Sequence, residues 1–129
     1  MKILFVEDDA MNRRVVQDML DVAGAHMTGA DSGERGLELL DAHDFDVVLM
    51  DLRMPGMDGL TAIGHIRARG DAKAALPVIV ITADTAPNLR DECLAGGADE
   101  VLFKPVAMDS LFDAIGRLLA AKGGTLPLP

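Results

Sequence analysis

The sequence predicts an α/β domain in which a parallel sheet is covered by helices on both faces. Residues 3–6, 47–50 and 78–81 are uninterrupted apolar runs of strand length, rich in β-branched residues, as strands buried on both faces require. Segments with helical spacing separate them, so strands and helices alternate along the chain. Such strand–helix–strand units close through right-handed crossovers into a parallel sheet.

In chain order, residues 3–6 (ILFV) give the first strand. Met11, Val15, Val16, Met19, Leu20 and Ala23 then recur at helical spacing up to Gly24, a suitable C-terminal cap, and Asp8 or Asp9 stands where an N-cap is favoured. Residues 27–30 form a weaker strand near a sheet edge. Leu37, Leu39 and Leu40 mark the second helix, residues 47–50 the third strand, and Leu60, Ile63 and Ile66 the third helix. After the fourth strand, a less amphipathic fourth helix runs roughly over 87–95, with Pro87 in a first turn that tolerates it. Residues 101–103 give an edge strand, and Leu111, Ile115, Leu118 and Leu119 the fifth helix. One domain over residues 1–122 is expected, with 123–129 a flexible tail.

Composition removes several function classes. Half of the 129 residues are hydrophobic, yet Trp and Tyr are absent and Phe occurs four times, so flavin pockets and stacking platforms for single strands are disfavoured. A net charge of −9 argues against nucleic-acid backbones and anionic membranes as partners and suits a divalent cation or a basic protein face. The lone cysteine, Cys93, forms no internal disulfide and is read as a packing residue. His26, His43 and His65 lack metal-ligand spacing, and no apolar run approaches the roughly 18 residues of a membrane span. The chain reads as a soluble, cytoplasmic domain.

Following each strand to its carboxyl end collects Glu7 and Asp8, then Asp51, Thr82 and Lys104. Open sheets of this class bind ligands there, where strand order reverses. Each residue alone has a bland explanation as a cap, a turn residue or an edge charge. Together they have a cost, because carboxylates about 4 Å apart repel by roughly 4 kcal/mol at an effective dielectric near 20. A cation must offset that, and an all-oxygen donor set favours Mg²⁺. A carboxylate beside Mg²⁺, a lysine and a threonine hydroxyl can accept a phosphoryl group as an acyl phosphate.

The segments ILFVEDDAMNR, VVLMDLRMPGMDG, VIVITAD and GGADEVLFKPV, in that order, closely resemble the receiver domain of two-component response regulators. The resemblance implies a flavodoxin-like, doubly wound five-stranded parallel sheet of order 2-1-3-4-5 with five helices. It implies that Asp51 is the phosphoacceptor, and that Glu7, Asp8, Asp51 and the Arg53 backbone carbonyl hold Mg²⁺. By the same resemblance, Thr82, the Ala83 N–H and Lys104 bind the phosphoryl oxygens, and Lys104–Pro105 is a cis peptide. Glu7 stands where Asp is more frequent, and Val101 holds a position commonly aromatic. The expected phosphodonor is a sensor histidine kinase or a histidine phosphotransfer protein, docking on the exposed side of the first helix near Met11, Asn12 and Val15. Output is expected through the face of helix 4, strand 5 and helix 5, toward an unidentified protein.

As a receiver, the chain would catalyse only its own phosphorylation and dephosphorylation. Arg53 and Asp84 are expected to pair across the site entrance and hinder the hydrolytic water. A phosphatase of the haloacid dehalogenase type needs an acid two residues after its nucleophile, where this chain has Arg53. P-loop and flavodoxin phosphate motifs are missing. The alternatives carried forward are a binding module independent of phosphorylation and the excised receiver of a hybrid histidine kinase, beside a single-domain regulator.

Overall fold

The computed structural model describes residues 1–121; the expected tail lies outside the described residues. Its elements run β1 (Lys2–Val6), α1 (Ala10–Val22), β2 (His26–Ala30), α2 (Gly33–Ala42), β3 (Val47–Met50), α3 (Gly59–Arg67), β4 (Val78–Thr82), α4 (Leu89–Ala95), β5 (Glu100–Phe103) and α5 (Met108–Ala121). The five strands are parallel and ordered β2-β1-β3-β4-β5. Strand order reverses between β1 and β3, so the carboxyl ends of these two strands bound the crevice.

Side-chain alternation divides the central strands between two cores. Leu4 and Val6, Val48 and Met50, and Val78 and Val80 face α2, α3 and α4, where they meet Leu40, Ile63, Ile66, Leu89 and Cys93. Ile3 and Phe5, Val47 and Leu49, and Ile79 and Ile81 face α1 and α5, packing with Val16, Leu20, Leu111 and Ile115. Burial on both faces is why these strands carry no polar alternation.

Local chemistry sets the helix starts. Asp9 caps α1 by accepting the N–H groups of Met11 and Asn12, Ser32 caps α2, and Asp58 caps α3. Gly24, past the end of α1, takes the left-handed conformation expected of it (φ 76°). The fourth helix starts two residues later than its spacing suggests. Pro87 and Asn88 form a turn, and Asn88 adopts a left-handed φ of 66°, which Asn tolerates and a helix interior does not. A 3-10 turn over Ala72–Ala75 gives no periodic signal in sequence. It is tied down by Lys73, whose ammonium donates to the Leu40 and His43 carbonyls, and by Arg67, which donates to Ala74 and Leu76. His26, His43 and His65 are exposed, and Cys93 is buried, as their sequence contexts suggest.

At the edge of the sheet, Glu100 of β5 is 8% exposed and accepts hydrogen bonds from Arg90 of α4, Arg117 of α5 and the Val101 N–H. Burial would raise its pKa, but these three donors outweigh it and hold the carboxyl below its ordinary value. A depressed folded pKa stabilises the fold above the ordinary value of 4.5 and loses that stabilisation as pH falls through the folded value. Both arginines are more than half exposed, so each pair is discounted for screening. Glu100→Gln is therefore expected to cost about 1–2 kcal/mol at pH 7. Urea unfolding of both proteins checks it, and the gap should close once the pH is below the carboxylate range.

Candidate functional site

The chain leaves β1 at Glu7, β3 at Asp51, β4 after Thr82 and β5 before Lys104, so the parallel sheet delivers all four residues to one rim. A cleft of about 240 Å³ gathers Glu7, Asp8, Asp51, Thr82, Ala83 and Lys104 with Asp9, Asn12, Arg53 and Asp84. Every site residue expected from the sequence lines it. Asp9 and Asn12 line it as well, although no motif places them there; their signal is that α1 begins at the cleft. A larger groove of about 450 Å³ opens beside His26 and His43 at the amino ends of β1 and β2, but it gathers no comparable set of carboxylates.

Glu7 and Asp51 are buried, at 1% and 4% exposure, whereas Asp8 faces solvent. The three carboxylates each present an oxygen within 4.8 Å of the others. Desolvation and a hydrogen bond shared with Glu7 raise the Asp8 pKa above its ordinary value, the electrostatic trace of this crowding. Lys104 offsets part of it. Its Nζ donates to Glu7 Oε1 at 2.6 Å and lies 3.6 Å from Asp51 Oδ1. Burial opposes the ammonium charge, but the Glu7 and Asp51 carboxylates prevail and hold the lysine pKa above its ordinary value. The donor set is all oxygen, and its three carboxylates exceed the one local ammonium by two negative charges, which fits a hard divalent ion.

The segment after Asp51 is held by close backbone approach. Asp51 N–H continues the ladder to the Val6 carbonyl at 3.0 Å. At Gly59, a Cβ would lie 2.2 Å from the Asp51 carbonyl oxygen and 2.9 Å from Leu52 Cα, so only glycine lets α3 start this close to the strand end. The intervening turn passes through Gly56, at φ 77°, and Met57 donates its N–H to Glu34 of α2 at 3.2 Å.

Across the cleft, Thr82 is fully buried and its Oγ1 accepts the Asp84 N–H at 3.1 Å. The Arg53 guanidinium donates to Asp84 Oδ2 through Nε at 3.0 Å and through Nη2. The pair anticipated from the sequence is thus formed and bridges the loops that follow β3 and β4. The Arg53 side chain is 67% exposed, so screening limits what the pair contributes to stability. The Lys104–Pro105 peptide is cis, as the resemblance implies.

The family profile of the response regulator receiver domain matches residues 3–116. The whole chain aligns at 34% identity with the virulence sensor protein BvgS of Bordetella bronchiseptica, of which it spans 11%. Over 86% of its length it is 38% identical to the sensor histidine kinase RcsC of Salmonella typhi, again spanning 11% of that protein. Among solved structures it is similar to the receiver domain of a sensor histidine kinase from Pseudomonas aeruginosa PAO1 with a magnesium ion coordinated in its active site cleft. That match has 32% identity and a TM-score of 0.82, covering 91% of this chain and 95% of that one.

The contact at Gly59 yields a direct expectation. Gly59→Ala should destabilise the protein by about 2–4 kcal/mol, because the obstructing atoms are backbone and cannot rotate away. Gly64→Ala, on the same helix with nothing within 4 Å of its Cβ position, should instead be neutral or stabilising. Thermal unfolding of the two variants makes the comparison.

Proposed function

The chain belongs to the response regulator receiver domain family and is a receiver of two-component signalling. On that premise we propose that Asp51 accepts a phosphoryl group from a phosphohistidine and thereby switches protein contacts. The observation that carries this is the buried Asp51 carboxylate, 3.6 Å from the Lys104 ammonium and grouped with Glu7 and Asp8.

An Asp51 oxygen attacks phosphorus in line as the phosphorus–nitrogen bond to the donor imidazole breaks, giving an acyl phosphate. Glu7, Asp8, Asp51 and the Arg53 carbonyl would hold Mg²⁺, which when bound neutralises charge on the transferring oxygens. Lys104, already in the cleft, stands to exchange its contact with Asp51 for a phosphoryl oxygen. Thr82 gives up the Asp84 N–H as acceptor partner and turns its hydroxyl inward, where the Ala83 N–H supplies a further donor. Adding roughly two negative charges at this point biases the equilibrium between two conformations. The chain acts only on its own phosphorylation state, turning over no separate substrate.

A groove of about 150 Å³ beside the cleft supports a helical phosphodonor. It is lined by Asn12, Val15, Val16, Lys104, Pro105 and Val106; Val15 is 46% exposed, and Met11, next to Asn12 in the first turn of α1, is 73% exposed. This suits the apolar side of a helix in a sensor histidine kinase or a histidine phosphotransfer protein. Output would pass through α4, β5 and α5. Because ATP-driven kinases charge such donors, the reading places the chain in the cytoplasm; among the described residues no helix is long and apolar enough to cross a membrane. The sensor proteins it resembles support a second reading, a receiver module of a hybrid kinase, beside that of a single-domain regulator.

Incubation with Mg²⁺ and acetyl phosphate should add one phosphoryl group, about 80 Da by intact mass, to wild type and none to Asp51→Asn. No addition to wild type would leave a binding module independent of phosphorylation. Val15→Lys should slow transfer from a phosphohistidine protein about tenfold or more while leaving acetyl phosphate labelling intact, because only the former needs the groove. Arg53→Ala should shorten the lifetime of the phosphorylated form about three- to tenfold by opening the entrance to water, equivalent to about 0.7–1.4 kcal/mol in barrier. An unchanged decay rate would remove the gating role.

A further inference from the structure

A residue outside the cleft, Arg13 in the first turns of α1, reaches back to the acidic loop. Its Nη1 donates to the Glu7 carbonyl oxygen at 2.6 Å. Glu7 is the point at which the chain leaves the sheet. Its N–H still bonds to the Ala30 carbonyl of β2 at 2.9 Å, but its carbonyl lies beyond the last strand pair, Val6 with Ala30. Arg13 supplies the partner that the ladder no longer can.

That carbonyl belongs to the peptide joining Glu7 to Asp8, the two neighbouring members of the carboxylate trio. Rotation of this peptide plane would swing both side chains, so whatever fixes its carbonyl fixes where the two carboxylates point. A guanidinium donor makes a charge-assisted bond, stronger than one to water.

The sequence of β2 shows a matching accommodation. Glycine weakens a strand interior and often marks close approach by another group. At Gly29 a Cβ would lie 3.0 Å from Arg13 Cδ and 3.5 Å from its Nε. The missing side chain is the space in which the arginine stem lies on its way to Glu7.

We propose that Arg13, seated over Gly29, is a positioning residue for the divalent-cation site, holding the Glu7–Asp8 peptide so that both carboxylates face the ion. This rests on the metal reading given above. It is distinguishable from a simple charge effect by sign. Removing a cation near three carboxylates should tighten Mg²⁺ binding if Arg13 acts only through space. Removing the donor should weaken binding if it acts by holding the peptide.

The test is titration calorimetry of Mg²⁺ into wild type, Arg13→Met, Arg13→Lys and Gly29→Ala, with thermal unfolding of each metal-free protein beside it. Arg13→Met should raise the Mg²⁺ Kd about tenfold, in the range found when groups that orient metal ligands are removed. Gly29→Ala should raise it about threefold with no change in charge, equivalent to about 0.7 kcal/mol, and Arg13→Lys should recover part of the loss. Binding by Arg13→Met as tight as wild type or tighter overturns the proposal, as does a lowered unfolding temperature with an unchanged Kd. A wild type that binds no Mg²⁺ overturns the metal reading itself and this inference with it.

Discussion

Mutual repulsion of three carboxylates at the carboxyl edge of the sheet is the constraint on which the arrangement turns. Two of them are buried, so water cannot screen them as it screens exposed acids. Only a rigid support keeps them together, and each is delivered by the end of a strand buried on both faces. Lys104 is the internal counter-charge, closer to Glu7 than to Asp51. The resting site is therefore partly satisfied, with Asp51 less firmly engaged than its neighbour. A carboxylate fully paired with its lysine would have to lose that bond before it could accept a phosphoryl group as proposed.

The scaffold was legible because its causes are local or periodic. The apolar runs at 3–6, 47–50 and 78–81 became the three central strands, and the residues at their ends reached one cleft. Even the weaker edge strands were placed, each beginning one residue earlier than its apolar run, at His26 and at Glu100. Glu100 shows why that extra residue was hidden. An acid at a strand start reads as solvent-facing, and only the fold brings Arg90 and Arg117 to it from two helices. The start of α4 was misjudged for a backbone reason, the left-handed turn at Asn88. Arg13 was invisible as a site residue because its partner is a carbonyl, which carries no sequence signal. Gly29 was the available hint, a glycine inside a strand, but a glycine shows that space is needed and not what fills it.

The structure also distributes firmness unevenly around the site. On one face, α1 and α5 bury Val16, Leu20, Leu111, Ala114 and Ile115 against the sheet. On the other, α4 has seven residues, no side-chain bond at its N-cap and only Leu89 and Cys93 buried. Helices this short have little stability of their own and rely on tertiary contacts. The Arg90–Glu100 pair adds a tether from β5, but an arginine half exposed contributes on the order of 1 kcal/mol at most.

This asymmetry bears on how a charge at Asp51 can be felt elsewhere. Thr82 leads directly into the loop that ends at α4, so an inward movement of its hydroxyl pulls on the least anchored helix. Val101, on the strand beside β4, is buried in the same apolar cluster as Leu89, Cys93 and Ala98. A β-branched side chain there has no ring to rotate between two states and is stiff at its first torsion. Transmission by side-chain flipping is thus poorly served at this position, while displacement of α4 as a unit is opposed by few contacts. Local opening concentrates where buried apolar contacts are fewest, and in this fold that place adjoins the acidic cleft.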